Sequence, residues 1–252
     1  MNHDLLDENI EKAVYQLLNS NRTAAFTGAG VSVESGIPPF RGKDGLWSKF
    51  DPQFLDINYF TNQPEKSWRL IKEIFYDYFG KAKPNAAHYV LGWLERQGLL
   101  QSVITQNIDN LHQAGGSNEV YEFHGNSRNL ICTGCSKIHS AANVDLDKLP
   151  PKCSDCGSLL KPDFVFFGEP IPEPAQSKSY TEAENADVFL VIGTTGEIMP
   201  ASLIPIVAAQ NGKIIIEINT HPSKYSHSIA NIFLQGKATE IMQKLKSIIK
   251  NE

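Results

Sequence analysis

Apolar residues at Ile10, Ala13, Val14, Leu17 and Leu18 recur at the i, i+3, i+4 spacing of an amphipathic helix and predict one over residues 8–20. The pattern then changes. Thr23–Thr27, Ser102–Thr105, Asp187–Ile192 and Lys213–Ile218 are short apolar runs without alternation, as strands covered on both faces require. Helical periods fall between them at 86–97 and 200–210, and an amphipathic helix over 237–250 closes the chain. Strand and helix in alternation predict the α/β class with a doubly wound parallel sheet. Two stretches interrupt the alternation. Residues 42–83 carry ten aromatic side chains between Trp47 and Phe79, and a later segment holds every cysteine. These two are expected to sit together as a smaller lobe, with a ligand cleft between the lobes.

Composition narrows the class. A chain of 252 residues buries about 73% of its unfolded surface, enough for one large core and an appendage. With 41% hydrophobic and 10% aromatic residues it is neither disordered nor collagenous. A net charge of −5 with no Lys/Arg block excludes a dedicated nucleic-acid binder. The first eight residues are acidic where a signal peptide is basic and then apolar. The longest charge-free run, Ile198–Gly212, is shorter than the ~20 residues of a membrane helix and holds two prolines. A soluble cytoplasmic protein is expected, with no nucleic-acid or membrane partner; the oligomeric state is left open.

Cys132, Cys135, Cys153 and Cys156 form two Cys-x2-Cys knuckles separated by seventeen residues. Two such knuckles complete a tetrahedral Zn–S4 set, and Gly134 and Gly157 suit their tight turns. Two disulfides would need an oxidising compartment, for which there is no secretory signal. Four thiolates leave no open position, so the zinc is structural and folds a segment of roughly Asn126 to Pro162; nearby His139 is read as a surface histidine.

Four further motifs carry chemistry. The first apolar strand runs into Gly28-Ala29-Gly30-Val31-Ser32-Val33, a loop that lets backbone amides approach a pyrophosphate. Val33 stands where a dinucleotide fingerprint has its third glycine, and no acidic strand end follows about twenty residues on, which weakens a dehydrogenase reading. Gly193-Thr194-Thr195-Gly196 is a second loop of this type, and Asn219 at the next strand end suits ribose hydroxyls. Two routine strand-to-helix turns would look much the same. Thr105-Gln106-Asn107-Ile108-Asp109-Asn110-Leu111-His112 crowds polar groups at a strand's carboxyl end, where open α/β sheets bind ligands. Phe123-His124-Gly125 places a histidine at a strand end, a fair general base.

The glycine loop, the Thr-Gln-Asn-Ile-Asp-Asn-Leu-His stretch, Phe-His-Gly, the paired knuckles and Phe166-Phe167-Gly168-Glu169 occur in this order. In that order they resemble the sirtuins, the Sir2-like NAD-dependent protein deacylases, over roughly residues 20–240. The resemblance implies a Rossmann-type domain formed by 1–41, 84–125 and 163–252, with a smaller lobe made of a helical insertion (42–83) and a zinc module (126–162). It implies NAD as co-substrate, one structural zinc ion and acyl-lysine proteins or peptides as partners. Ala29, Val33, Phe40 and Arg41 would border the pyrophosphate and nicotinamide ribose, with Ser32 beside the cofactor. Gln106 would hold a ribose, and Asn107, Ile108 and Asp109 the nicotinamide. Thr194, Thr195, Asn219 and Ala238 match adenosine-side positions.

His124 matches the catalytic base, assisted by Asn107 and Asp109. The implied reaction begins with attack of the acyl-lysine carbonyl oxygen on ribose C1′ as nicotinamide leaves. His124 then deprotonates a ribose hydroxyl, and the acyl group ends on ADP-ribose. The peptide would add a strand beside Val165-Phe166-Phe167-Gly168. Tyr76 and Phe79 would line the acyl pocket; Phe79 replaces the arginine that serves dicarboxylic acyl groups, so acetyl or longer apolar groups are expected. Two other departures are Pro39 for the family aspartate, which removes whatever that carboxylate anchors, and Thr195 for a serine, which keeps the hydroxyl. An NAD hydrolase or mono-ADP-ribosyltransferase is the rival reading, and a non-enzymatic NAD sensor a third. The zinc module and Phe-Gly-Glu segment frame a peptide groove that a bare hydrolase does not require, and no site residue is missing.

Overall fold

The computed structural model describes residues 3–40 and 45–252. A first helix, α1 (His3–Leu18), leads into β1 (Thr23–Thr27). The aromatic segment then folds as α2 (Ile57–Asn62) and α3 (Pro64–Ile71), which runs on into a π-helical stretch over Lys72–Tyr78. Next come α4 (Ala86–Arg96), β2 (Ser102–Thr105), α5 (Leu111–Ala114) and β3 (Val120–Glu122). The cysteine segment contributes β4 (Gly125–Cys132), β5 (Ile138–Ser140) and β6 (Leu160–Phe164). The chain ends with α6 (Ala175–Asn185), β7 (Val188–Ile192), α7 (Leu203–Gln210), β8 (Ile214–Asn219), β9 (Ile232–Gln235) and α8 (Ala238–Ile249).

Six strands form one parallel sheet in the order β3-β2-β1-β7-β8-β9. Phe26 of β1 sits between Ile104 of β2 and Val191 of β7. Every residue of β1, β2 and β7 is buried, which is why their sequences do not alternate. On one face Leu17, Leu91 and Leu245 of α1, α4 and α8 pack with Ala25 and Leu190. On the other, Ala183 and Ile204 of α6 and α7 pack with Phe26 and Val191. Successive strand residues thus feed opposite cores, and the sheet is doubly wound.

The two interruptions share a third core. Phe54, Phe60, Trp68 and Phe75 pack with Leu130, Leu160, Phe164 and Phe166. The Trp68 indole N–H donates to the Leu160 carbonyl at 2.9 Å, tying α3 to β6. The strands of the cysteine segment pair antiparallel in the order β5-β4-β6. No helix among the described residues is long and apolar enough to cross a membrane.

All four predicted helices have shifted bounds. Helix α1 spans 3–18 rather than 8–20, and Leu6, four residues before Ile10, carries the apolar stripe into the added turn. Helix α4 stops one residue early, α8 spans 238–249 within the predicted 237–250, and α7 begins at Leu203, with Pro205 still in the first turn where no amide donor is needed. Strands β3, β9 and the antiparallel sheet were not among the predicted elements. At three or four residues, β3, β5 and β9 are too short for a period to register.

Candidate active site

Chain order reverses between β1 and β7, the adjacent central strands, and their carboxyl ends open onto a cavity of about 620 Å³. Open α/β sheets bind ligands at such switch points. The loops after the two strands lock together: the Gly28 amide donates to the Ile192 carbonyl at 3.0 Å and Gly30 to the Gly193 carbonyl at 2.8 Å. A Cβ at Gly30 would lie 2.6 Å from the Gly193 Cα, and one at Gly28 would lie 2.8 Å from the Gly193 carbonyl oxygen. These glycines are therefore demanded by backbone packing of the two loops on each other, beyond any approach to phosphate. Gly193 has φ +65°, where a side chain is also strained.

The stretch after β2 forms the adjoining wall. The Gln106 amide donates to the Thr27 carbonyl at 2.9 Å, and its side chain reaches Thr194 Oγ1 at 3.2 Å. Gln106, Asn107 and Ile108 line the cavity. Ser32 and Asp109 lie behind that wall: the Ser32 hydroxyl donates to Asp109 Oδ2 at 2.7 Å, and Asn107 Nδ2 donates to Ser32 Oγ and the Gly28 carbonyl, each at 3.2 Å. Burial raises the Asp109 pKa, opposed by the Leu111 amide and the Ser32 hydroxyl. His88 Nδ1 accepts from the Asn85 amide at 3.2 Å, which leaves its Nε2–H facing Ser32 Oγ at 3.4 Å. Burial drops the His88 pKa to about 4. His112, the last residue of the polar stretch after β2, packs on His88 with ring centroids 4.9 Å apart; His88 has no signal in the sequence, since a buried histidine gives no pattern.

His124 lines the cavity at the end of β3. Its Nδ1 lies 2.9 Å from the Gln106 carbonyl oxygen, which only accepts, so Nδ1 carries the proton and Nε2 holds a free lone pair. Desolvation lowers its pKa, opposed by that hydrogen bond. The segment Val165–Gly168 lines the same cavity. The Val165 amide donates to the His124 carbonyl at 2.9 Å, while Phe167 pairs with Leu55 and Ile57 of the aromatic insertion. Among the described residues, no hydrogen bond reaches the Val165 carbonyl or the Gly168 amide.

Thr194, Thr195, Asn219 and Ala238 lie along the far end of the cavity, with Asn219 Nδ2 donating to the Thr194 carbonyl at 2.9 Å. Ala29, Val33 and Phe40 line it too, and Arg41 lies outside the described residues. Pro39 is on the wall, and its carbonyl accepts from the Leu46 amide at 2.8 Å, as Phe40 does from Trp47 at 2.9 Å. These closures are backbone bonds and need no carboxylate at position 39.

Tyr76 and Phe79 are not where the sequence reading put them. Phe75 lines the cavity instead, and Tyr76 stacks against Trp68 with ring centroids 6.2 Å apart. Phe79 faces a second cavity of about 120 Å³ behind Ile108 and Asp109. Tyr76 lies in the π-helical stretch 72–78 and Phe79 just after it. The sequence reading also missed Ile198 and Met199, which line the cavity; Met199 and Phe167 are 62% and 51% exposed. The apolar run Ile198-Met199-Pro200, one residue beyond the Gly-Thr-Thr-Gly loop, is their signal.

The four Sγ atoms of Cys132, Cys135, Cys153 and Cys156 lie within 4.8 Å of one another, with Cys132–Cys156 at 3.4 Å and Cys135–Cys153 at 3.8 Å. A tetrahedron with Zn–S bonds of about 2.3 Å has edges of about 3.8 Å, so this donor set fits one zinc ion. The Gly134 and Cys135 amides each donate to Cys132 Sγ at 3.4 Å, as expected around a thiolate ligand. His139 Nε2 lies 3.3 Å from Cys153 Sγ, beside the set rather than within it.

Residues 28–200 match the model of the Sir2 family. An NAD-dependent protein deacylase of Pyrococcus furiosus is 44% identical over 91% of this chain and 93% of its own length. An NAD-dependent protein deacetylase of Pyrobaculum aerophilum is 40% identical over 96% and 95%. Among solved structures, a Sir2 homologue with NAD superimposes with a TM-score of 0.88 at 40% identity, covering 96% of this chain and 94% of that one. A Sir2–p53 peptide–NAD+ complex superimposes with a TM-score of 0.88 at 33% identity, covering 96% and 99%. With a family match over more than half its length and relatives of this identity across nine-tenths of it, the chain belongs to the Sir2 family.

Proposed function

We propose that the chain is an NAD-dependent protein-lysine deacylase, which moves an acyl group from lysine to ADP-ribose and releases nicotinamide. The observation that carries this reading is His124: its Nδ1–H is held by the Gln106 carbonyl, its Nε2 is free, and it shares one cavity with the glycine loop and the Val165–Gly168 segment. NAD, when bound, supplies the electrophilic ribose carbon and its own leaving group. Asn107 and Ile108 form the nicotinamide end, with Ser32 and Asp109 holding Asn107 from behind. Gln106 serves a ribose; Thr194, Thr195, Asn219 and Ala238 serve the adenosine; Gly28, Ala29, Gly30, Val33, Phe40 and Gly193 serve the pyrophosphate side, to which we also assign Arg41.

His124 takes a ribose-hydroxyl proton at Nε2, beside the apolar walls that Phe40, Trp47 and Phe167 give the cavity. The acyl-lysine main chain meets the open Val165 carbonyl and Gly168 amide, and the acyl group lies against Phe75. The four cysteines hold a structural zinc. We draw the units at 1–41, 84–125 and 163–252, 42–83, and 126–162, and place the protein in the cytoplasm, where thiolates stay reduced. Nicotinamide release from NAD is measured with and without an acetyl-lysine peptide, for wild type and His124→Ala. Release that depends on peptide and yields acyl-ADP-ribose supports a deacylase. Equal NAD consumption without peptide would make it a hydrolase.

A further inference from the structure

Lys161 is a buried ammonium that the deacylase reading does not use; its side chain is 9% exposed. Its Nζ donates to the Pro162 and Phe164 carbonyls, both at 2.8 Å, and pairs with Glu169 Oε2 at 3.0 Å, so all three of its protons are engaged. It also sits 4.2 Å from the centroid of the Phe166 ring. The same Glu169 oxygen accepts the Phe166 amide at 2.8 Å, and the Glu169 amide donates to the Phe166 carbonyl at 3.0 Å. Residues 166–169 are thus closed into a hook, with Gly168 at φ +95° making the bend and Lys161 fastening it to β6.

The hook decides which backbone groups face the cavity. Phe166 has both main-chain groups turned onto Glu169, and Phe167 has both on the aromatic insertion. What is left over, the Val165 carbonyl and the Gly168 amide, brackets the hook, and Val165 is itself bonded to His124. A regular edge strand would instead offer alternate residues along its whole length.

We propose that Lys161 and Glu169 are a positioning pair that sets the spacing of the Val165 carbonyl and Gly168 amide, and so fixes the acyl-lysine main chain relative to His124. This rests on the deacylase reading. Neither residue acts on the reacting atoms. Removing the pair misplaces peptide and leaves the NAD side intact, because Gly28, Gly193 and Asn219 belong to other elements.

The test uses the full-length enzyme with a fluorescein-labelled acetyl-lysine peptide, read by anisotropy and by steady-state turnover. Lys161→Met and Glu169→Met are expected to raise peptide Kd and KM by about tenfold or more, with NAD KM within about twofold. Glu169→Gln keeps an oxygen for the Phe166 amide and is expected to retain most of the affinity. Single variants leave one buried charge unpaired and lower the Tm, so the double variant Lys161→Met/Glu169→Met is decisive. Its Tm is expected to recover while peptide KM stays raised. Recovery of both, or an equal rise in NAD KM, would overturn the proposal and leave the pair a packing element. A wild type that neither binds nor deacylates the peptide would instead defeat the deacylase reading, and this inference with it.

Discussion

The imidazole of His124 and the carbonyl of Gln106 are joined by a 2.9 Å hydrogen bond that fixes the tautomer of the one histidine on the β3 side of the cavity. Because burial holds its pKa below the ordinary 6.5, the base is ready across the neutral range. The sign follows: the protonated form is inactive, so kcat/KM should fall on the acid side with an apparent pKa under 6.5 and be flat above it. A profile still rising through pH 8 would show that another group limits the rate.

His124→Ala should lower kcat by about 10²–10⁴-fold, the usual worth of a general base, with NAD affinity little changed. Isothermal titration with NAD beside turnover assays checks both halves.

His88 should make stability depend on pH. Its folded pKa of about 4 lies below the 6.5 of an exposed histidine, so the native state resists protonation. Stability is then full above pH 6.5 and falls as pH drops toward 4, by about 2 kcal/mol between pH 7 and 5 from this residue alone. Urea unfolding of wild type and His88→Asn at the two pH values isolates it; the variant should lose less.

Gly30→Ala should damage both fold and cofactor site, since the new Cβ would meet the Gly193 backbone, which has no rotamer to give way. We expect about 2–4 kcal/mol of destabilisation and a weakened NAD KM, measured by thermal melting and kinetics.

Chelation should remove about one zinc per chain and disturb more than the cysteine segment. Trp68 donates to Leu160 of β6, so its fluorescence should shift to the red as the metal leaves. Acyl choice is tested separately: among the described residues, the wall near the aromatic insertion is Phe40, Trp47, Leu55 and Phe75, without a cation. Acetyl-lysine peptide should exceed succinyl-lysine peptide by at least about tenfold in kcat/KM.

The central strands were legible because burial on both faces leaves a direct mark: an unbroken apolar run such as Val188–Ile192. The cysteines were legible because ligand spacing is local. Gly28, Gly30 and Gly193 stood out as a site, but their main structural reason, loop pressed on loop, depends on strands 165 residues apart becoming neighbours. Glu169 and Ser32 stand in motifs, but their partners Lys161 and His88 give no sequence signal, since nothing periodic links the paired positions. Tyr76 and Phe79 differ in another way: a likeness to a family pattern names positions but not where their rings turn, and here Phe75 lines the cavity while Tyr76 stacks on Trp68.

The core shared by the two interruptions constrains how the protein is made. Phe54, Trp68 and Phe75 leave the ribosome well before Leu160, Phe164 and Phe166, against which they bury. At ~5–20 residues per second the aromatic segment waits roughly 4–20 s for its partners, with its largest rings uncovered. Zinc capture by Cys153 and Cys156 comes at the end of that interval and completes the surface those rings need. Metal supply during synthesis should therefore govern the yield of soluble protein, and chaperone dependence should be greatest in zinc-starved cells.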